Sequence, residues 1–161
     1  MNITECKEAV ADIFFVLDES SSIKTQANFQ KELDFVTSVV DYLEIGPSKA
    51  QVGVMTFSDY PKLKFHLNDF NSREDIAEAV QRIRWEGGNT FLNRALKMVR
   101  QEGLTPTHGS RANSGVPQIA VIITDGVSTD PAATKAELAK LHAENYLLFA
   151  IGTFEFIMQN E

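Results

Sequence analysis

A doubly wound α/β fold is predicted by two features of this 161-residue sequence. Four short apolar runs, IFFVL (13–17), QVGVMTF (51–57), QIAVIIT (118–124) and YLLFAI (146–151), are continuous rather than alternating. That is the pattern of strands buried on both faces of a parallel sheet. Between them lie segments with apolar residues at three- and four-residue spacing, the signature of amphipathic helices. Strands alternating with helices imply a mostly parallel central sheet with helices on both faces.

The elements follow in order. After the first strand, Phe29, Leu33, Val36, Val40 and Leu43 give one apolar face to a helix over about 25–44. The second strand is followed by an SDYP turn and the alternating KLKFHL (62–67), which predicts one antiparallel edge strand. Ser72 with Asp75 marks a helix start, and Ile76, Val80 and Ile83 form its buried stripe. Leu92, Leu96 and Val99 form another stripe. HGSRANSGVPQ (108–118) reads as a polar loop before the third parallel strand. Asp130-Pro131 supplies an N-cap and a first-turn proline for a helix reaching about Ala143. No repeat or linker divides the chain, and a hydrophobic content of 43% suffices for one core. Residues 1–161 therefore read as one domain, with its core at about 12–152.

Charge and composition narrow the function. A net charge of −7 argues against nucleic acid as a partner, because that needs clustered Lys and Arg on phosphates. No apolar run approaches the roughly 20 residues of a membrane helix, so membrane insertion is not expected. MNITECKEAV lacks the layout of a secretory signal. Cys6 is the only cysteine, which suits either a reduced compartment or an extracellular module whose partner cysteine lies elsewhere. Asn2-Ile3-Thr4 is a glycosylation triplet, a weak extracellular sign.

Ligands on such sheets sit outside the carboxyl ends of the strands. Three polar groups fall there: Asp18, Ser20 and Ser22 in DESSS, Thr90 after EGGN, and Asp125 before Gly126. Two carboxylates and three hydroxyls, with no nitrogen or sulfur donor, suit a hard cation such as Mg²⁺, Mn²⁺ or Ca²⁺. The same donor set is expected to exclude zinc and copper. Taken singly, each group has an ordinary reading: Thr90 as a helix cap, the serines as a polar loop, Asp125-Gly126 as a turn. Their coincidence at successive strand ends is what singles them out.

ADIFFVLDESSSI, GGNTFLNRAL and VIITDG, in that order and at these separations, resemble the metal-ion-dependent adhesion site (MIDAS) of von Willebrand factor type A domains. The flavour is that of extracellular collagen and matrilin domains, which begin with a similar Cys followed by ADI. The resemblance implies Ser20, Ser22 and Thr90 as hydroxyl ligands, with Asp18 and Asp125 holding the ion directly or through water. It implies a secreted, extracellular module that forms part of a larger protein. It also implies a partner such as collagen or another acid-bearing matrix protein, and Cys6 as half of a disulfide. Members usually continue beyond FAIG with a further strand and a terminal helix, and TFEFIMQNE (153–161) departs from that pattern.

The chemistry agrees with that reading. At an effective dielectric of 20, a unit charge pair at 4 Å is worth about 4 kcal/mol, so several direct carboxylates would largely satisfy a divalent ion. Hydroxyls in contact, with carboxylates behind, leave it open to a carboxylate from a partner. Two other functions compete. A structural module would bind matrix, polysaccharide or mineral through its acidic surface, indifferent to metal. A Mg²⁺-dependent phosphotransferase would use Asp18 as nucleophile, but such chemistry wants a second acid at position 20, which is serine. No GxSxG supports a hydrolase, so no enzymatic activity is expected. His66, His108 and His142 lack ligand spacing, and Trp85, beside EGGNT, is a core residue or lines the site.

Overall fold

A computed structural model describes residues 8–152. Cys6, the glycosylation triplet and the 153–161 segment lie outside the described residues. The strands are β1 (Asp12–Asp18), β2 (Gln51–Phe57), β3 (Pro61–Phe65), β4 (Gln118–Ile123) and β5 (Leu147–Ile151). The helices are α1 (Gln26–Asp41), α2 (Arg73–Gln81), α3 (Leu92–Met98) and α4 (Pro131–Ala143). The sheet order is β3-β2-β1-β4-β5; β1 pairs in parallel with β2 and β4, β4 with β5, and only β2–β3 is antiparallel. The mixed sheet with one antiparallel edge is therefore as the sequence predicts.

β1 explains why its run is continuous. Ile13, Phe15 and Leu17 face one core with Phe29, Leu33, Val36 and Val40 of α1 and Ile76 and Val80 of α2. Phe14 and Val16 face the other, with Leu92, Leu96 and Val99 and with Leu141 of α4. Both sides of the strand are sealed, so alternation with polar residues has no place. Phe14 lies against Gly53, where a Cβ would come within 2.5 Å of the ring, so only glycine admits the aromatic there.

Helix starts are fixed by side chains. Thr25, Ser72 and Asp130 each accept a bond from the backbone N–H three residues on, at 3.1, 3.1 and 3.0 Å. α1 ends earlier than its apolar pattern suggests, because the amides of Tyr42 and Leu43 tighten onto Val39 and Val40. β3 likewise ends at Phe65: the His66 amide turns to Asp69 Oδ2 (2.7 Å), and Leu67 drops into the core. α3 widens into a π-helical turn at Val99–Gly103. The 108–118 loop holds a short 3-10 turn at Ala112–Ser114.

The loop carries a residue whose importance the sequence concealed. Arg111 reaches Asp12 at the start of β1 through its backbone N–H, Nε and Nη2, at 2.6, 2.9 and 2.7 Å. At the opposite end of β1 the chain leaves toward β2 on one side while β4 lies on the other. This divergence opens the crevice in which doubly wound sheets place ligands. β5 carries Leu147, Phe149 and Ile151 substantially exposed.

Candidate metal centre

The crevice is built from the end of β1, the turn after it, the loop before α3 and the end of β4. Asp18, the last residue of β1, is fully buried. Its Oδ1 accepts the Ser20 N–H at 2.8 Å and its Oδ2 accepts the Thr124 hydroxyl at 2.5 Å. Burial pushes the Asp18 carboxyl above the usual carboxylate range; bonds from Ser20 and Thr124 oppose this, and the charge of Asp125 adds to it. Among the described residues no cationic side chain acts on it.

The turn after β1 winds into a 3-10 segment at Ser21–Ile23, which brings alternate serines to one side. Ser20 Oγ and Ser22 Oγ lie 2.7 Å apart, and the Ser22 hydroxyl donates to Asp125 Oδ1 at 2.6 Å. Asp18, Ser20, Ser22 and Asp125 thus form one hydrogen-bonded cluster, although Ser22 and Asp125 are 103 positions apart. Thr90 is held differently. Its N–H bonds the Thr129 hydroxyl (3.0 Å), and its carbonyl accepts the Thr129 N–H (2.7 Å) and the Ser128 hydroxyl (3.3 Å). This fastens the Thr90 loop to the segment following Asp125. No hydrogen bond joins the Thr90 hydroxyl to the other four side chains among the described residues. The helix cap of α3 is Phe91 rather than Thr90.

Three supports went unread in the sequence or were read only in part. Thr124 anchors Asp18. Trp85 donates its indole N–H to the Ser20 carbonyl at 3.0 Å, bracing the turn rather than serving only as core. Gly88, at φ 118°, exchanges backbone contacts with Ser21: Ser21 N–H to Gly88 O at 2.8 Å, and Gly88 N–H to Ser21 Oγ at 3.0 Å. A Cβ on Gly88 would sit 2.7 Å from Asp59 Oδ2, so the approach requires glycine. Glu19, between Asp18 and Ser20, is fully buried and pairs with Lys62 of β3 at 2.9 Å.

The donors gathered here are hydroxyl and carboxylate oxygens. Among the described residues no group of three or more His, Cys, Asp or Glu side chains could hold a metal, so any cation here must lean on hydroxyls. A buried carboxylate with no cation beside it among the described residues, and with hydroxyls around it, fits a hard divalent ion. Trp85 and the 3-10 turn fix the serines in place without one.

Comparison with known proteins places this geometry in a family. The von Willebrand factor type A domain model matches residues 12–161. The collagen alpha-6(VI) chain of Homo sapiens is 37% identical over 149 residues, covering 92% of this chain and 6% of its own length. The collagen alpha-1(XX) chain of Mus musculus is 38% identical over 130 residues, covering 81% of this chain and 10% of its own. Proximal thread matrix protein 1 from the mussel byssus, solved with a zinc-occupied MIDAS motif, superposes with a TM-score of 0.84 at 34% identity. That match covers 90% of this chain and 38% of the mussel chain. The zinc in that relative corrects the expectation that oxygen donors exclude this metal: zinc accepts carboxylate oxygen at about 2.0–2.2 Å and is only borderline soft. By sequence and by fold, this chain belongs to the von Willebrand factor type A domain family.

Proposed function

We propose that this chain is a divalent-cation-dependent adhesion module of the extracellular matrix, with its cation held by Asp18, Ser20, Ser22, Thr90 and Asp125. The observation that carries the reading is the continuous hydroxyl chain from Ser20 through Ser22 to Asp125, beside a buried Asp18 that no cation among the described residues neutralises. When bound, the cation supplies a Lewis-acidic point able to take a carboxylate from a partner. The chain's own residues do the rest. Thr124 and the Ser20 amide fix the Asp18 carboxylate, Trp85 holds the serine turn, and Thr129 ties the Thr90 loop to the Asp125 segment.

The family's matrix members support secretion and a matrix-protein partner, a collagen or another protein presenting an Asp or Glu. Mg²⁺ is the cation we assign, with Mn²⁺ or Ca²⁺ able to replace it. Binding rather than turnover is the proposed outcome, since Ser20 stands where phosphotransfer would want an acid.

Calorimetric titration with Mg²⁺ and Mn²⁺ tests the site. One site is expected in the wild type, with affinity lowered at least about tenfold, or 1.4 kcal/mol, in Asp18→Ala. Equal binding by both proteins would overturn the assignment. Collagen capture with Mg²⁺ and with EDTA tests the module: full capture in EDTA favours an acidic surface indifferent to metal.

A further inference from the structure

α1 begins four residues beyond Ser22, so its first turns lie beside the metal centre. Its buried stripe is Phe29, Leu33, Val36 and Val40. Glu32 flanks that stripe and is half-buried, three residues after Phe29 and four before Val36, both wholly buried. Residues at that spacing share one helix face, and helical side chains lean toward the N-terminus, here the end bearing Ser20 and Ser22. Glu32 is accordingly a carboxyl group at the margin of the core face, leaning toward the strand ends. Its Oε2 is buried and meets no hydrogen-bond partner, and no ion pair involves Glu32 among the described residues. An unpartnered buried oxygen of this kind costs stability, which asks for a compensating role.

We propose that Glu32 is an acid set behind the metal centre, outside its ligands, whose charge on α1 strengthens the hold on a divalent cation. The inference rests on the metal reading of Asp18, Ser20, Ser22, Thr90 and Asp125, and adds a residue outside that set. The electrostatics agree. Burial, followed by the charges of Asp18 and Asp125, pushes the Glu32 carboxyl up to about 9, so Glu32 lies within the field of the two aspartates. A positive ion between those aspartates relieves the repulsion that all three acids share. Glu32 thereby burdens the metal-free protein and favours the metal-bound one.

The test pairs Mn²⁺ calorimetry on wild type, Glu32→Gln and Glu32→Leu with thermal unfolding of each protein without metal. Both variants should bind Mn²⁺ about threefold or more weakly, with a metal-free midpoint that holds or rises. A carboxyl serving packing alone gives the reverse: unchanged affinity and a lower midpoint. Unchanged affinity in Glu32→Gln overturns the inference, as does a lower affinity accompanied by a lower midpoint in that isosteric variant. If the wild type itself takes up no Mn²⁺, the metal reading fails. Uptake by wild type and variants alike removes only Glu32.

Discussion

Two aspartates bound the same strand, and their surroundings are opposite. Asp12 and Asp18 open and close β1, and both are fully buried. Asp12 is answered by a guanidinium: Arg111 binds it from its backbone and side chain, and Gln118 Nε2 adds a bond at 2.7 Å. Arg111 is itself saturated by the carbonyls of Ala11, Pro47 and Lys49. Asp18 receives a backbone amide and a threonine hydroxyl, with no cation among the described residues. A buried charge is stable when paired and bonded, and otherwise waits for a counter-charge. The first end of the strand is closed within the protein; the second is left for something to arrive.

That contrast can be broken at three levels. Arg111→Ala should have the largest effect, a loss of about 3–5 kcal/mol in urea denaturation, because it strands Asp12 without its partner. A loss below about 1 kcal/mol would show that water reaches Asp12 and would erase the difference between the ends. Thr124→Val comes next. It leaves Asp18 Oδ2 without its donor and should cost about 1–3 kcal/mol. Mn²⁺ affinity should fall with it, since the carboxylate loses its anchor; stability loss with unchanged affinity would separate Thr124 from the cation.

The third is a slope. In the unfolded chain Glu32 releases its proton near 4.5, and in the folded chain only near about 9. Between those values the folded state holds a proton that the unfolded state lacks, so stability falls as pH rises. Without metal, unfolding midpoints followed across this window should decline less steeply in Glu32→Gln than in the wild type. Parallel curves would mean that Glu32 is solvated and ordinary.

What the sequence revealed, and what it hid, divides along range. The continuous runs of β1 and β2 were legible because burial on both faces writes itself into every residue of a strand. Ser20 and Ser22 were legible as well, sitting beside Asp18 in one short stretch. Thr124 was hidden at the end of QIAVIIT, where its hydroxyl read as the last residue of an apolar run. A signal did exist: a threonine directly before Asp-Gly at a strand end. Arg111 was hidden by its Gly/Ser-rich loop, whose composition predicts a turn and says nothing of a bond to a residue 99 positions earlier. Glu32 carried no signal of its own in the sequence, since an acid flanking an apolar helical stripe is ordinarily solvated. The Thr90 loop was legible as a glycine-rich turn after a helix, yet its tether through Ser128 and Thr129 depends on tertiary contact alone.

The hydrogen bond between Thr124 and Asp18 spans 106 residues. Closing a loop that long carries an entropic cost growing as about (3/2)RT ln n, and contacts of this separation slow folding. During synthesis the first strand and its serines emerge early, while Thr124 and Asp125, just past β4, follow more than a hundred residues later. The centre cannot assemble until β4 has inserted beside β1. Cation uptake by a refolding chain would therefore mark the completion of the sheet rather than its nucleation, and a time course of Mn²⁺ capture would read the final step of the folding reaction.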